Sequence, residues 1–337
     1  MARRFLPVAG QPCPNESARV MSRIVCVGET FVDLLGEPDL SDIGASELFR
    51  RTAGGAVSNV AIGIARLGGS VSFVGAVGRD PFGKFLVRTL AHENVDVDGV
   101  RAVDTPTSLI FVTRGREGAR EFYPVGCPGA DVRLSPDDLD VATLRKAKCI
   151  HFGGVTLAAR PGRDACLLAA AIGREHGLVT FDPNPRPAIF ASAAQMRAIL
   201  MEACEAAHLI KCSDEDLEAL GVADHDPARL LLGGVKAAVL TMGAGGCRWA
   251  VAGGGAGEAS SPRVNVVDTT GAGDAFMAAL IWRLCDHHKC DIGADAMAEA
   301  AQWATAAGAL ACTRIGAIDG LPRAGEVEAM TEAARAR

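Results

Sequence analysis

From residue 23 onward, apolar positions follow two rhythms that alternate along the chain. Short continuous runs such as RIVCVGE, VSFVGAVG, KCIHFGG, LVTFDPN and AHLIKCS have the length and β-branched content of buried strands. Between them lie longer segments with apolar residues at three- and four-residue spacing: AVSNVAIGIARLG, PFGKFLVRTLAHE, RDACLLAAAIGREH, AAQMRAILMEAC and DEDLEALG. That spacing predicts helices with one buried face. Further strands are expected near AAVLTMG, CRWAVAG and RVNVVD, and two long apolar helices over 275–286 and 294–312. The GGGAG run at 253–257 reads as a flexible turn. Repeated strand–turn–helix units predict an α/β fold: a mostly parallel central sheet with helices on both faces, and ligands at the carboxyl ends of its strands.

One region breaks the rhythm. TSLIFVTRGREGAREFYPV, 107–125, alternates β-formers around a Gly-Arg-Glu-Gly turn, which is the pattern of a hairpin. With the loop at 36–52 it is expected to form a small sheet lying outside the main one.

Composition narrows the picture. The chain has 337 residues, enough for a substantial core, with no convincing linker or repeat inside it. The expected organisation is a flexible tail over 1–21, a single domain over 22–325 with lid segments near 36–52 and 107–126, and a tail over 326–337. A formal net charge of −6 argues against nonspecific binding to nucleic acid. Eleven cysteines, an odd number without a C-x-x-C pair, lie mostly inside apolar runs. They read as buried thiols of a reducing, cytoplasmic compartment, not as a disulfide framework or a zinc site. Prolines 7, 12 and 14 interrupt the first twenty residues before an adequate signal core forms, and no apolar run is long enough to span a bilayer.

Candidate chemistry concentrates at VVDTTGAGDAFMAALIWRL, 266–284. Gly271, Ala272 and Gly273 carry little bulk, so backbone N–H groups there can approach a ligand closely, and the apolar run that follows is a helix. Free amides and the positive end of a helix dipole favour an anion, phosphate above all. Asp274 beside such a turn would repel its ligand unless it accepted a proton from a hydroxyl attacking phosphorus. The alternative, equally open on this turn alone, is a helix cap. In TAGGAVSNV, Gly54 and Gly55 allow close approach at another helix start, and Asn59 offers a polyol both a donor and an acceptor. Asp33, in GETFVDLLG, is able to accept from two neighbouring hydroxyls, which suits a sugar. Each of these also fits a plain solvated turn. TMGAGGCRW, 241–249, resembles a nucleotide loop but is weak as a lone glycine-rich turn.

Together these segments resemble the ribokinase/fructokinase-type, phosphofructokinase-B-like sugar kinases. GGAVSNVAIGIARLGG and DTTGAGDAFMAAL look like the family's two signature segments, and GETFVD, FVGAVGRDPFG, FDPNPRP, IKCSDEDLEAL, VLTMGAGG and QWATAAGALACTRIGAIDGLP agree with them. The similarity covers roughly 22–322. It implies a ribokinase-like α/β domain with a β-sheet lid, and transfer of a phosphoryl group from ATP, with its Mg²⁺, to a sugar hydroxyl. Gly271, Ala272 and Gly273 would then form the anion hole and Asp274 would be the base. Asp33, Gly54, Gly55 and Asn59 would match sugar-contacting positions, with Arg186 available for a phosphate or acidic group. Thr241, Gly243 and Gly246, with Ser213, Asp216, Gly271, Gly273 and Thr305, would line the nucleotide side. Asp268 and Thr270 fall where many members hold a monovalent cation such as K⁺. Relatives are often dimers built through the lid, which makes a homodimer the expected state.

Fructokinases resemble the chain best within the family. It departs from them in the lid, at Pro124 and Gly126, where an Arg-containing stretch is usual, and at Thr305, where Asn is usual near the adenine. FDPNPRPAIF is close to their D-P-N-x-R-P segment, and SDEDL to their S-D-E-E version of the family's N-x-x-E motif, which puts Ser213 and Asp216 where many relatives have Asn and Glu. Fructose is thus the expected acceptor, with 2-keto-3-deoxygluconate or ribose as alternatives. A noncatalytic sugar-binding regulator has no use for the base in GAGD. A dinucleotide-dependent dehydrogenase would need G-x-G-x-x-G after the first strand, and VCVGETFVD lacks it.

Overall fold

A computed structural model describes residues 24–335 apart from 39, 41, 115–119 and 223. The expected tail at 1–21 lies outside the described residues. The strands are β1 (Ile24–Val27), β2 (Phe31–Pro38), β3 (Phe49–Gly54), β4 (Val71–Gly78), β5 (Asp96–Val103), β6 (Leu109–Arg114), β7 (Arg120–Val125), β8 (Cys149–Gly153), β9 (Leu178–Asp182), β10 (Leu209–Ser213), β11 (Ala237–Thr241), β12 (Cys247–Val251) and β13 (Ala256–Ala259). The helices are α1 (Ala56–Arg66), α2 (Pro81–His92), α3 (Val141–Lys146), α4 (Gly162–His176), α5 (Ala193–Glu205), α6 (Asp214–Leu220), α7 (Ala272–His287), α8 (Ala294–Ala311), the single turn α9 (Ala317–Gly320) and α10 (Ala324–Arg335).

Nine strands form one sheet in the order β13-β12-β11-β10-β9-β8-β1-β4-β5. Every pairing from β11 to β5 is parallel, and β12 and β13 close the far edge antiparallel. The central strands β1, β4 and β8–β11 are almost wholly buried and mostly apolar because both faces are covered. Along β1, Ile24 and Cys26 face a core with α1, α7 and α8, while Val25 and Val27 face a second core with α4, α5 and α6. After β1 the chain builds outward through β4 and β5, then crosses back to β8 and builds the other way. The crevice between the carboxyl ends of β1 and β8 is therefore the topological switch point, where this architecture binds ligands.

The second sheet has the order β3-β2-β6-β7, with β2 and β6 parallel and the outer pairs antiparallel. It is the small outlying sheet expected from the alternation at 107–125. Asp80 ties it to the body: one carboxylate oxygen caps α2 through Gly83 N–H at 2.8 Å, and the other accepts from Thr107 N–H at 2.8 Å.

Two expectations change. RVNVVD is not a strand; the edge strand is β13, which begins at the end of the 253–257 stretch read as a flexible turn and runs on to Ala259. Its residues find a ladder partner in β12, whereas Val266 and Val267 run exposed toward the ligand crevice and Val267 N–H bonds Cys312 C=O instead. Residues 326–335 of the expected 326–337 tail belong to α10, where Val327 and Thr331 are buried.

Candidate active site

A cleft of about 970 Å³ opens at the carboxyl ends of the central strands, beneath the small sheet. Its floor is the first turn of α7. Gly271 is the residue before that helix, with a left-handed φ of 80°, and a Cβ there would fall 2.8 Å from Ala317 Cα, so only glycine fits. Asp268, buried behind the turn, fixes its shape: Oδ1 accepts from Thr270 N–H at 3.0 Å and from its hydroxyl at 2.7 Å, while Oδ2 accepts from Gly316 N–H at 2.8 Å. The carboxylate thus holds the 268–271 loop against the 316 turn, so that Gly271, Ala272 and Gly273 line the cleft at the N-terminal end of the α7 dipole, with Ala272 N–H donating to Thr269 C=O at 3.3 Å.

Asp274 lies in the first turn of α7 but does not cap it; the position before the helix is Gly271, without a side-chain cap. Its Oδ2 accepts from Asn59 Nδ2 at 2.8 Å across 215 residues of sequence. Burial pushes the Asp274 carboxyl up to about 6, opposed by the Asn59 hydrogen bond. Asn59 itself is placed by α1, whose first turn is held from outside. Gly55 ahead of it has φ 108° and no side chain, and Val57 N–H donates instead to Glu29 Oε1 at 3.2 Å. Glu29 is wholly buried at the switch crevice, and its other oxygen accepts from the Thr156 hydroxyl at 3.1 Å.

At the small-sheet end of the cleft, Asp33 projects from β2 across Gly54, where a Cβ would stand 2.2 Å from its Oδ2. That overlap explains the glycine. Burial, and then the nearby negative charge of Asp274, push the Asp33 carboxyl up to about 7. Arg186 lines the same end, exposed and bonded through Nη1 to the Pro185 carbonyl at 2.9 Å; its charge opposes both upward shifts. Asp131 is a further carboxylate here, buried and bonded to the Ser108 hydroxyl. Phe31, Ile110, Phe122 and Pro124 supply apolar surface from the small sheet.

The opposite end carries Thr241, Gly243 and Gly246 in the turn joining β11 to β12. Met242 N–H bonds Gly246 C=O at 2.8 Å, and a Cβ on Gly246 would fall 2.0 Å from Ala259 O, so that glycine serves the turn itself. Gly243 has nothing within 4 Å of where a Cβ would be and leaves the wall open. Ser213 lines the cleft, but its hydroxyl accepts from Asp216 N–H at 3.2 Å while Asp216 Oδ2 accepts from Ser213 N–H at 2.7 Å. The pair closes on itself as a capping box for α6. Thr305 lines the cleft with its hydroxyl bonded back to Ala301 C=O within α8.

Two residues in the wall were not singled out from sequence. Lys211, within the apolar strand β10, bonds Asp182 at the end of β9 at 2.9 Å, with both side chains buried. The sequence signal was present: an ammonium amid AHLIKCS has no reason to be in a buried strand unless something pairs it. Among the described residues, no group of three or more His, Cys, Asp or Glu is placed to hold a metal ion, and no helix is long and apolar enough to cross a membrane.

The fold and this cleft agree with the comparisons. Residues 21–324 match the pfkB family of carbohydrate kinases. Fructokinase-1 of Zea mays is 36% identical over 320 residues, covering 92% of this chain and 98% of the maize protein. Among solved structures, the Xylella fastidiosa fructokinase with bound ATP superposes with a TM-score of 0.83 at 28% identity, covering 93% of this chain and 98% of that one. The Salmonella enterica aminoimidazole riboside kinase, complexed with aminoimidazole riboside and an ATP analog, gives 0.79 at 30% identity, covering 91% and 99%. The chain belongs to the pfkB family of carbohydrate kinases and has its ribokinase-like α/β fold; it is an ATP-dependent sugar kinase.

Proposed function

We propose that the protein transfers the γ-phosphoryl group of MgATP to a neutral sugar, with fructose converted to fructose 6-phosphate as the best-supported reaction. The observation that carries the mechanism is the Asn59–Asp274 hydrogen bond at 2.8 Å, which fixes a half-buried carboxylate beside the amides of Gly271, Ala272 and Gly273. Asp274 takes the proton from the acceptor hydroxyl as its oxygen bonds to the γ-phosphorus, and the bond from that phosphorus to the β-bridging oxygen breaks to release ADP. The amides at the start of α7 receive the negative charge that gathers on the transferred group. Mg²⁺ would travel with the nucleotide phosphates. A monovalent cation such as K⁺ near Asp268 and Thr270 would be held chiefly by main-chain carbonyls, because the Asp268 oxygens already bind the Thr270 and Gly316 groups.

Charge at the sugar end supports a neutral acceptor. Among the described residues, Asp33, Asp131 and Asp274 converge there beside the exposed guanidinium of Arg186, a balance of charge that disfavours a sugar acid such as 2-keto-3-deoxygluconate. The similarity to the maize fructokinase over nearly its whole length favours fructose. In the same reading the enzyme is a cytoplasmic homodimer joined through the small sheet, whose Phe122 and Tyr123 are 54% and 60% exposed. A coupled ADP-release assay over fructose, ribose and 2-keto-3-deoxygluconate tests the acceptor. Fructose is expected to give the highest kcat/KM; a higher value for the sugar acid, lost on Arg186→Ala, would overturn it.

A further inference from the structure

The buried pair Lys211–Asp182 is costly to explain as scaffold. Desolvating two charges offsets most of their attraction, and well-packed apolar side chains in their place would hold β9 to β10 at least as well. Its position answers better. A Cβ on Gly273 would stand 3.0 Å from Lys211 Nζ and 3.9 Å from Cε of the same lysine, its nearest neighbours among the described residues outside its own helix. Unlike Gly271, Gly273 does not have a left-handed backbone and meets no crowding from backbone. What its missing side chain leaves clear is the line between the ammonium and the first turn of α7. Asp182 has a second feature of a working group: Oδ1 is buried and has no hydrogen-bond partner among the described residues, while Oδ2 holds the lysine.

Resting on the kinase reading above, we propose that Lys211 is a catalytic residue whose ammonium, aimed through the space left by Gly273, binds the equatorial oxygens of the phosphoryl group in transfer, with Asp182 as the residue that positions it. The amides of the α7 turn provide only partial charges, whereas a desolvated ammonium supplies a whole one where negative charge accumulates. Asp182 restrains the ammonium to one place in the wall and, with Asp216 and Asp274, more than offsets the lowering of its proton affinity by burial. The Coulombic influence of the pair reaches Asp274 as well: Asp182 raises its proton affinity and Lys211 lowers it, so base and cation stand in one electrostatic unit.

Lys211→Met should lower kcat for fructose by about 10²–10³-fold while leaving the dissociation constant of ADP within about threefold, as expected for a contact made mainly in the transition state. Binding of ADP with aluminium fluoride and fructose, which mimics the transferring group, should weaken at least tenfold more than binding of ADP. Lys211→Met leaves Asp182 charged and alone, so the double variant Asp182→Asn/Lys211→Met guards against misfolding: it removes both members of the pair, leaves Asp216 held by Ser213 N–H, and should melt near the wild type, still with the loss of kcat. Asp182→Asn alone should bring the alkaline limit of kcat to lower pH, as the ammonium keeps only Asp216 and Asp274 to offset its burial. A kcat within threefold of wild type in the folded double variant would overturn the role of Lys211, and equal loss of ADP and ADP–aluminium fluoride affinity would reduce the pair to a structural support. Absence of sugar-dependent ADP release in the wild type would instead overturn the kinase reading, and this inference with it.

Discussion

Asp274 sits three residues into a helix, yet its carboxylate turns away from the helix amides and toward Asn59. A carboxylate that capped α7 would tolerate Asn, whereas a base would not. Asp274→Asn is therefore expected to lower kcat by about 10²–10⁴-fold with sugar affinity by calorimetry nearly unchanged. The same group sets a pH dependence. It must be ionised to take the hydroxyl proton, and burial has moved it up to about 6, so kcat/KM should fall as pH drops through that value. Asp33, pushed up to about 7, is mostly neutral where Asp274 ionises, so Asp33→Asn should leave the acid limb near 6 in place even as sugar use weakens; a limb that moved with Asp33 would count against Asp274 as the titrating group. Gly54 offers a cleaner probe of the acceptor side. With Asp33 Oδ2 lying 2.2 Å from where its Cβ would be, Gly54→Ala must displace that carboxylate. We expect KM for fructose to rise tenfold or more with KM for ATP within about twofold, because the nucleotide end of the cleft is untouched.

Among the elements, the small sheet is the one whose connections suggest movement. It is anchored near its base, by Asp80 to Thr107, by Arg51 stacked over Phe85 at 3.8 Å and by the exposed pair Arg50–Asp319 at 3.6 Å. Its far strand β7 leaves Phe122, Tyr123 and Val125 exposed. Elements with few buried contacts open most readily, and a sugar bound beneath Ile110 and Phe122 would add contacts. Fructose should therefore slow amide exchange in the described parts of 36–52 and 107–126 more than in β8 or β9. Equal protection with and without sugar would remove closure from the account. Alternation around a turn made this sheet legible in the sequence; the failure at RVNVVD shows the limit of the same signal. Alternating valines describe a segment that would accept a ladder, but whether a neighbour is there is a property of the edge, and β13 had already taken it.

At the scale of the whole molecule, Glu29 joins the parts. From the end of β1 it holds the first turn of α1 and the Thr156 hydroxyl after β8, and so sets where Asn59 meets Asp274. Burial pushes its carboxyl up to about 7 despite those two bonds. A folded-state value above the unfolded one means that its contribution to stability is intact below about pH 4.5 and lost as pH rises through 7. Glu29→Gln abolishes that titration while keeping an acceptor for Val57 N–H. In urea unfolding the variant should match the wild type near pH 5 and exceed it near pH 8 by up to about 3 kcal/mol. A constant difference across that range would show that Glu29 is ionised throughout.

Sequence by itself determined the layered α/β order, the small outlying sheet and the two glycine turns, because strand and helix periodicity and the freedom of glycine are local properties of the chain. It also marked Asp274, Asn59 and Asp33 as polar groups in places where polarity needs a reason. Only tertiary structure decided what each one faces. Asn59 and Asp274 are 215 residues apart, Gly54 is small because of Asp33, and Gly273 is small beside Lys211, a residue whose charge looks misplaced until Asp182 arrives from the neighbouring strand. Distances of this kind are set by which strands lie side by side and how deeply each carboxyl end is buried. No local pattern encodes that, since desolvation and pairing exist only once the sheet has assembled.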